Sequence, residues 1–232
     1  STHCISSAAS DVYKRQILHR SGKNNWTVIR PYITYSEIRL QLGVLEKELW
    51  LYRALNGRTI VFSKDIAEKS TTLTYGYDVA LGIASIIGKE TAFGEAFHIT
   101  SDESYTWKEI LEIYLDTIEK KTGMRPKVLL LDKSPHLEWI GAKWQVILDR
   151  YYNRRFDNSK IQQYIDTSQF VRTESGLISC LESFLCHPQF KKMGWGIQGT
   201  YDRITGEWAP FSEISIITVS YTHLTLPTIC SV

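Results

Sequence analysis

Short β-rich runs alternate along this chain with longer stretches whose apolar residues repeat at helical spacing. Trp26–Arg30 reads as a buried strand that Pro31 stops, because proline brings no N–H to a ladder. Leu42–Leu55 reads as a helix ended by Asn56-Gly57, and Thr59–Phe62 as a second strand. Asp78 then looks like an N-cap. Val79, Ala80, Ile83, Ala84, Ile86 and Ile87 follow on a helix closed by Gly88, apolar on so much of its surface that it should lie between layers.

Ala96–Thr100 is the third strand candidate. Thr106 and Glu109 form a capping box, in which each side chain satisfies a backbone N–H of the first turn. Ile110, Ile113, Tyr114, Thr117 and Ile118 line one face of that helix, and Gly123 ends it. Lys127–Leu131 reads as a fourth strand, with helical stretches from Pro135 toward Tyr151, over Asn158–Tyr164 and over Glu174–Leu185. Such alternation predicts an α/β fold, a partial Rossmann-type parallel sheet with a mainly helical C-terminal lobe.

Both ends are expected to be foreign to this pattern. One DNA string encodes Ser6–Gln16 on one strand and Val219–Thr228 on the other, as a sequencing-library linker would. The expected divisions are 1–16 as translated linker, 17–132 as part of a nucleotide-binding domain, 133–218 as a helical lobe and tail, and 219–232 as linker again.

Composition adds limits. A net charge of +2, from 27 Lys and Arg against 25 Asp and Glu, gives no pull toward nucleic acid or anionic membrane. No apolar run reaches the roughly 18 residues of a membrane span. Cys4 and Cys230 fall in the expected linkers, which leaves Cys180 and Cys186. Two thiols make no disulfide framework, so a reducing, cytoplasmic setting is expected, with both packing as small apolar residues. Asn25-Trp26-Thr27 is a glycosylation triplet of a kind that chance often produces. Arg150–Arg155 is basic with aromatic neighbours, a pattern that fits phosphate or a single strand of nucleic acid, but also a helix end where cations complement the dipole. His98 alternates with Phe97 and Ile99 as a satisfied sheet histidine would.

Three ordered segments carry a resemblance. Trp26-Thr27-Val28-Ile29-Arg30-Pro31-Tyr32 is followed by Thr72-Leu73-Thr74-Tyr75-Gly76-Tyr77-Asp78-Val79-Ala80. Then comes Ala96-Phe97-His98-Ile99-Thr100-Ser101-Asp102-Glu103, running into Thr106-Trp107-Lys108-Glu109-Ile110, with Phe156-Asp157-Asn158-Ser159-Lys160 as a fourth landmark. In order and spacing these resemble the extended short-chain dehydrogenase/reductases, the NAD-dependent epimerases and dehydratases.

The resemblance implies a site for NAD or NADP, a sugar or nucleotide-sugar substrate and a homodimeric parent. It places Pro31, Tyr32 and Ile33 beside the nicotinamide, and Arg39, Thr74 and Tyr75 toward the substrate. It also implies a Tyr-x-x-x-Lys pair for proton transfer and a glycine-rich turn for the pyrophosphate. Neither motif occurs in this sequence: Lys14 follows Tyr13 directly. The chain is therefore expected to be the inactive C-terminal half of an enzyme. Relatives that use nucleotide sugars often carry an Arg shortly before the Asp-Val-Ala motif. Here that stretch reads Ser70-Thr71-Thr72-Leu73-Thr74, which argues against a UDP-sugar. Two other readings stand beside this one, a non-catalytic dinucleotide-sensing or partner-binding protein and a reductase of a non-sugar carbonyl.

Overall fold

The computed structural model describes residues 13, 16–137, 142–191 and 193–210. The expected linkers and the end of the tail fall almost wholly outside them. Among the described residues the strands pair in four two-stranded ladders, three of them parallel. β1 (Thr27–Arg30) lies beside the later β6 (Glu95–His98), and β2 (Ile33–Tyr35) beside β5 (Leu73–Tyr75). β3 (Ile60–Ser63) pairs with β8 (Val128–Leu131), while the short β4 (Ser70–Thr71) runs antiparallel to β7 (Tyr105–Thr106). Each parallel pair is joined through intervening helix, which is the α/β pattern the sequence predicts.

The helices are α1 (Lys47–Leu55), the single turn α2 (Lys64–Ala67), α3 (Gly76–Ile86) and α4 (Trp107–Thr122). After them come α5 (Lys143–Gln145), α6 (Thr173–Cys186) and α7 (Trp195–Thr205). α4 begins on the predicted capping box: Thr106 Oγ1 accepts from the Glu109 N–H at 3.2 Å, and Glu109 Oε2 accepts from the Thr106 N–H. Its last turn closes on Gly123, whose φ of 77° a side chain would resist. The predicted face is buried against α6 and α1, and Tyr114 stacks on Trp50 with centroids 4.6 Å apart.

Two apolar clusters result. The larger joins β3 to α1, α4, α6 and α7 through Val61, Phe62, Trp107, Leu177 and Tyr201. The smaller gathers Val79, Ile86, Phe97, Ile99, Ile161 and Phe170 between α3 and the β1–β6 ladder.

Several local expectations need correction. α1 starts at Lys47 rather than Leu42, because residues 42–45 close a tight turn. Leu42 and Leu45 exchange both backbone hydrogen bonds at 2.8 Å, around Gly43 at φ 61°. Asp78 is not an N-cap: the helix already begins at Gly76, and the Asp78 carboxylate accepts from the Val171 N–H at 2.9 Å. α3 is not enclosed either. Its Val79 face meets Ile99, while Ala80, Leu81, Ala84 and the following Ile87 are exposed, Ile87 at 71%.

The stretch from Asn158 keeps only a 3₁₀ turn, Ile161–Gln163, because the Asn158 side chain brackets Thr100 and Asp102 instead of starting a helix. From Pro135 the chain makes a 3₁₀ turn, Pro135–Leu137, and then α5, which widens into a π turn at Val146–Arg150. Cys180 is buried as expected, but Cys186 at the end of α6 is exposed.

α7 lies in the tail that sequence reading left unassigned. A single arginine explains its docking. Arg53, fully buried on α1, donates to Asp202 Oδ1 (2.5 Å), Gln198 Oε1 (3.2 Å), Thr205 Oγ1 (3.1 Å) and the Thr59 carbonyl (2.7 Å).

Candidate functional site

Past the carboxyl ends of β1 and β6 the two strands hand over to loops, the place where open parallel sheets bind ligands. Arg30 ends β1 opposite His98 in the ladder. Pro31 is exposed and stops the pairing. The ring of Tyr32 then lies 4.7 Å from that of Phe156, which lies 5.2 Å from His98, so three rings form one shelf. The His98 imidazole is only partly the satisfied sheet group expected: it interacts with the Arg30 backbone, but its Nδ1 is buried without a hydrogen-bond partner among the described residues. Burial, reinforced by nearby Arg30, lowers its pKa, so the ring stays neutral at pH 7.

The Tyr32 hydroxyl donates to Asp149 Oδ1 at 2.7 Å and accepts from Arg150 Nη1 at 3.4 Å. Asp149 also pairs with Arg150 and, at 2.9 Å, with Arg154 Nε. Arg150 is no solvated helix-end cation. It is 3% exposed, donates from Nε to the Gly43 carbonyl at 3.0 Å, and sits 5.6 Å from the centre of the Trp107 ring. One buried guanidinium thereby ties together the loop after β1, the turn at residues 42–45 and the start of α4. The π turn makes this possible, since the extra residue per turn shifts which consecutive side chains face inward; such turns are frequent at functional sites.

Two groupings hold the sequence-predicted residues. Ile33 pairs with Leu73, and Thr34 with Thr74, in the β2–β5 ladder, so Ile33, Thr74 and Tyr75 share one small sheet. Thr74 is 1% exposed, and its Oγ1 accepts from the Ser101 N–H at 2.8 Å, a backbone-satisfying role with no open face. Tyr75 donates to Glu37 Oε1 at 2.7 Å; that hydrogen bond, with some desolvation, pushes its pKa up to about 12. Arg39 pairs with Glu46 at 3.3 Å, and both are close enough to act electrostatically on Arg150. The structure thus brings Pro31, Tyr32 and Arg39 toward one arginine-rich corner and sets Thr74 behind it. Sequence reading missed Asp149 and Arg150 as partners of Tyr32, and Arg154 as a partner of Asp149. Their only linear signal is an Asp-Arg pair with another Arg soon after, inside a run that reads as a helix end.

The stretch in which an arginine was missed has its own substitute contact. Thr72 Oγ1 donates to the Arg154 carbonyl at 3.0 Å, and the Arg154 N–H donates to the Ser70 carbonyl. Arg154 is therefore brought beside the segment that lacks one. Among the described residues no cluster of His, Cys, Asp or Glu fits a metal, and no helix is long and apolar enough to cross a membrane.

No protein-family profile and no curated protein matches the chain in sequence. Solved structures do match. The dTDP-glucose 4,6-dehydratase of Streptomyces venezuelae, crystallised with NAD, superposes with a TM-score of 0.59 at 18% identity, over 79% of this chain and 50% of that one. The UDP-glucuronic acid 4-epimerase of Bacillus cereus, in complex with UDP-glucuronic acid and NAD, gives 0.56 at 17% identity, over 77% and 51%. The UDP-glucose 4-epimerase of Thermotoga maritima, with UDP-glucose, gives 0.55 at 17% identity, over 80% and 53%. The chain shares the fold of these three structures over the part that superposes. The chain spans about half the length of the solved structures it matches, so it presents one part of that fold, with the parallel strands of a partial Rossmann-type sheet.

Proposed function

We propose that this chain is the C-terminal half of an NAD(P)-dependent sugar or nucleotide-sugar epimerase/dehydratase. It would contribute the loop that flanks the nicotinamide together with much of the substrate lobe. The observation that carries this is the Arg30-Pro31-Tyr32 exit from a parallel strand, with Tyr32 locked by Asp149 and Arg150, in a chain with an epimerase/dehydratase fold. The division near residue 132, the linker ends, the cytoplasmic setting and the homodimeric parent belong to the same proposal.

The residues present fit one side of a dinucleotide and no more. Tyr32, Phe156 and His98 offer a run of mutually tilted rings past the carboxyl end of the β1–β6 ladder. The pyrophosphate turn and the Tyr-x-x-x-Lys pair would come from upstream. NAD or NADP, when bound, would supply reversible hydride transfer at a sugar carbon. This chain would do the holding. Arg39, Arg150 and Arg154 give the corner an excess of positive charge over Asp149 and Glu46, suited to an anionic substrate such as a sugar diphosphate nucleotide. The Arg154 main chain lies beside Ser70, while its guanidinium is held by Asp149 and the Leu148 carbonyl. With no proton-transfer pair in its sequence, the chain alone should not turn over substrate.

The test is to read the gene upstream, express the whole protein and analyse products from UDP- and dTDP-sugars. Retained NAD and an epimerised or dehydrated sugar are expected. A whole protein that binds dinucleotide but lacks Tyr-x-x-x-Lys and converts nothing would leave the sensing or partner-binding reading. Reduction of a simple carbonyl without sugar conversion would favour the reductase.

A further inference from the structure

Helix α7 meets the body of the protein at two buried polar points, and they differ in kind. Arg53 with Asp202 is a charged pair. The other point is a buried histidine: His136, on the turn after β8, shares a 2.7 Å hydrogen bond with the Tyr201 hydroxyl. The imidazole is 5% exposed, and the space around it is walled by Val44, Leu45, Val61, Phe62 and Ile66.

Among the described residues, none of the groups around it forms an ion pair with the ring. From α7 comes Tyr201, and from α1 comes Arg53, whose guanidinium lies 5.8 Å from the centre of the Tyr201 ring. From α2 comes Asp65, whose Oδ2 accepts from the Ser134 N–H at 2.9 Å and the Tyr151 hydroxyl at 2.8 Å, while its Oδ1 is buried without a hydrogen-bond partner. β3 and the turn at residues 43–45 bring Val61, Phe62, Ser63, Val44 and Leu45. Asp202 and Glu207 are committed to Arg53, Thr59 and Lys127. Among the described residues no carboxylate pairs with the ring.

We propose that His136 makes the docking of α7 acid-sensitive, so that proton uptake by the imidazole releases residues 195–205 from the body while the core stays folded. A second cation behind Tyr201, opposite Arg53, would be buried with no carboxylate paired to it among the described residues. Undocking exposes His136 and lets it ionise. Burial holds the docked imidazole's pKa down at about 4, against an ordinary value of 6.5. The undocked state therefore binds more protons once the pH drops below about 6.5, and docking weakens from there down to about 4. Glu207, held below the usual carboxylate range by Thr59 and Lys127 despite partial burial, gives up its contribution only below its ordinary value of 4.5. The two windows overlap only below 4.5, so the range from about 6.5 to 4.5 reports on His136.

Amide hydrogen exchange on the full chain, corrected for intrinsic rates, reads this directly. Between about pH 7 and about pH 5, protection of the α7 amides should fall roughly twenty-fold, and at every pH it should stay well below that of α4. His136→Gln, which keeps a neutral hydrogen-bonding group, should remove that fall. Tyr201→Phe loses the bond but keeps the buried ring, so it should undock more readily and remain pH-sensitive. α7 protection that is flat with pH overturns the proposal, as does a His136→Gln chain that follows wild type. α7 protection equal to that of α4 at every pH overturns it too, since α7 would then open only by global unfolding.

Discussion

The β3–β8 side of the molecule and the β1–β6 side are built to the same plan and finished to different degrees. β3 is buried along its whole length, with α1, α4, α6 and α7 gathered over it in one large apolar cluster, although its partner β8 is only half-buried and leaves Leu130 exposed. β1 is half-buried throughout, β6 has only Phe97 buried, and the α3 region leaves Tyr77, Leu81 and Ile87 in solvent. The finished side carries the stability. The unfinished side carries the candidate site, and its open strand edge and bare helix face are what a sheet shows where further strands and helices belong. A half-covered layer beside a ligand-binding loop is how one part of a larger nucleotide-binding sheet should look.

The largest effect should come from breaking the closed side at its buried charge. Arg53→Ala strands Asp202 and the Thr59 carbonyl, and should cost about 3–5 kcal/mol in urea unfolding. A loss below about 1 kcal/mol would mean the pair is solvated and the closed side looser than described. Next is Gly176→Ala. A Cβ there would overlap the Tyr35 hydroxyl, which is itself buried without a hydrogen-bond partner, so about 1–3 kcal/mol of overpacking should appear as a lowered Tm. At the boundary between the sides, Tyr32→Phe should cost about 1 kcal/mol, with a larger effect on ligand affinity in the whole enzyme than on its melting. Smallest in stability is the open side. Leu81→Lys with Ile87→Lys should change unfolding by less than about 0.5 kcal/mol, yet reduce self-association seen by light scattering. If those lysines unfold the chain, the face is covered after all.

Local physics explains what was legible in the sequence. Capping box, Gly123 stop and apolar spacing fixed α4 in advance, because each acts within a few residues. β1, β3, β6 and β8 were legible from β-rich runs between turn signals, and their parallel pairing from the helices between them. Less legible was anything set by distant partners. Asp78 has the residue type of an N-cap, but Val171, far along the chain, supplies its donor. Arg150 resembles a surface cation until Tyr32, Gly43 and Trp107 close around it. Thr74 was expected near the substrate, and Ser101 fixes it inside the wall. α7 had no strong pattern because its docking rests on Arg53, far back in the chain. Of the candidate site, the resemblance singles out the Pro31 loop, while its anchors Asp149 and Arg150 are hidden in a π turn.

The most direct test of the central claim is an NAD titration of two samples, this chain alone and this chain mixed with the polypeptide encoded upstream of it. The account predicts no binding to the chain alone and, in the mixture, stoichiometric binding that weakens when Tyr32 is replaced by alanine. Tight NAD binding by the chain alone, or none by the mixture, would contradict it.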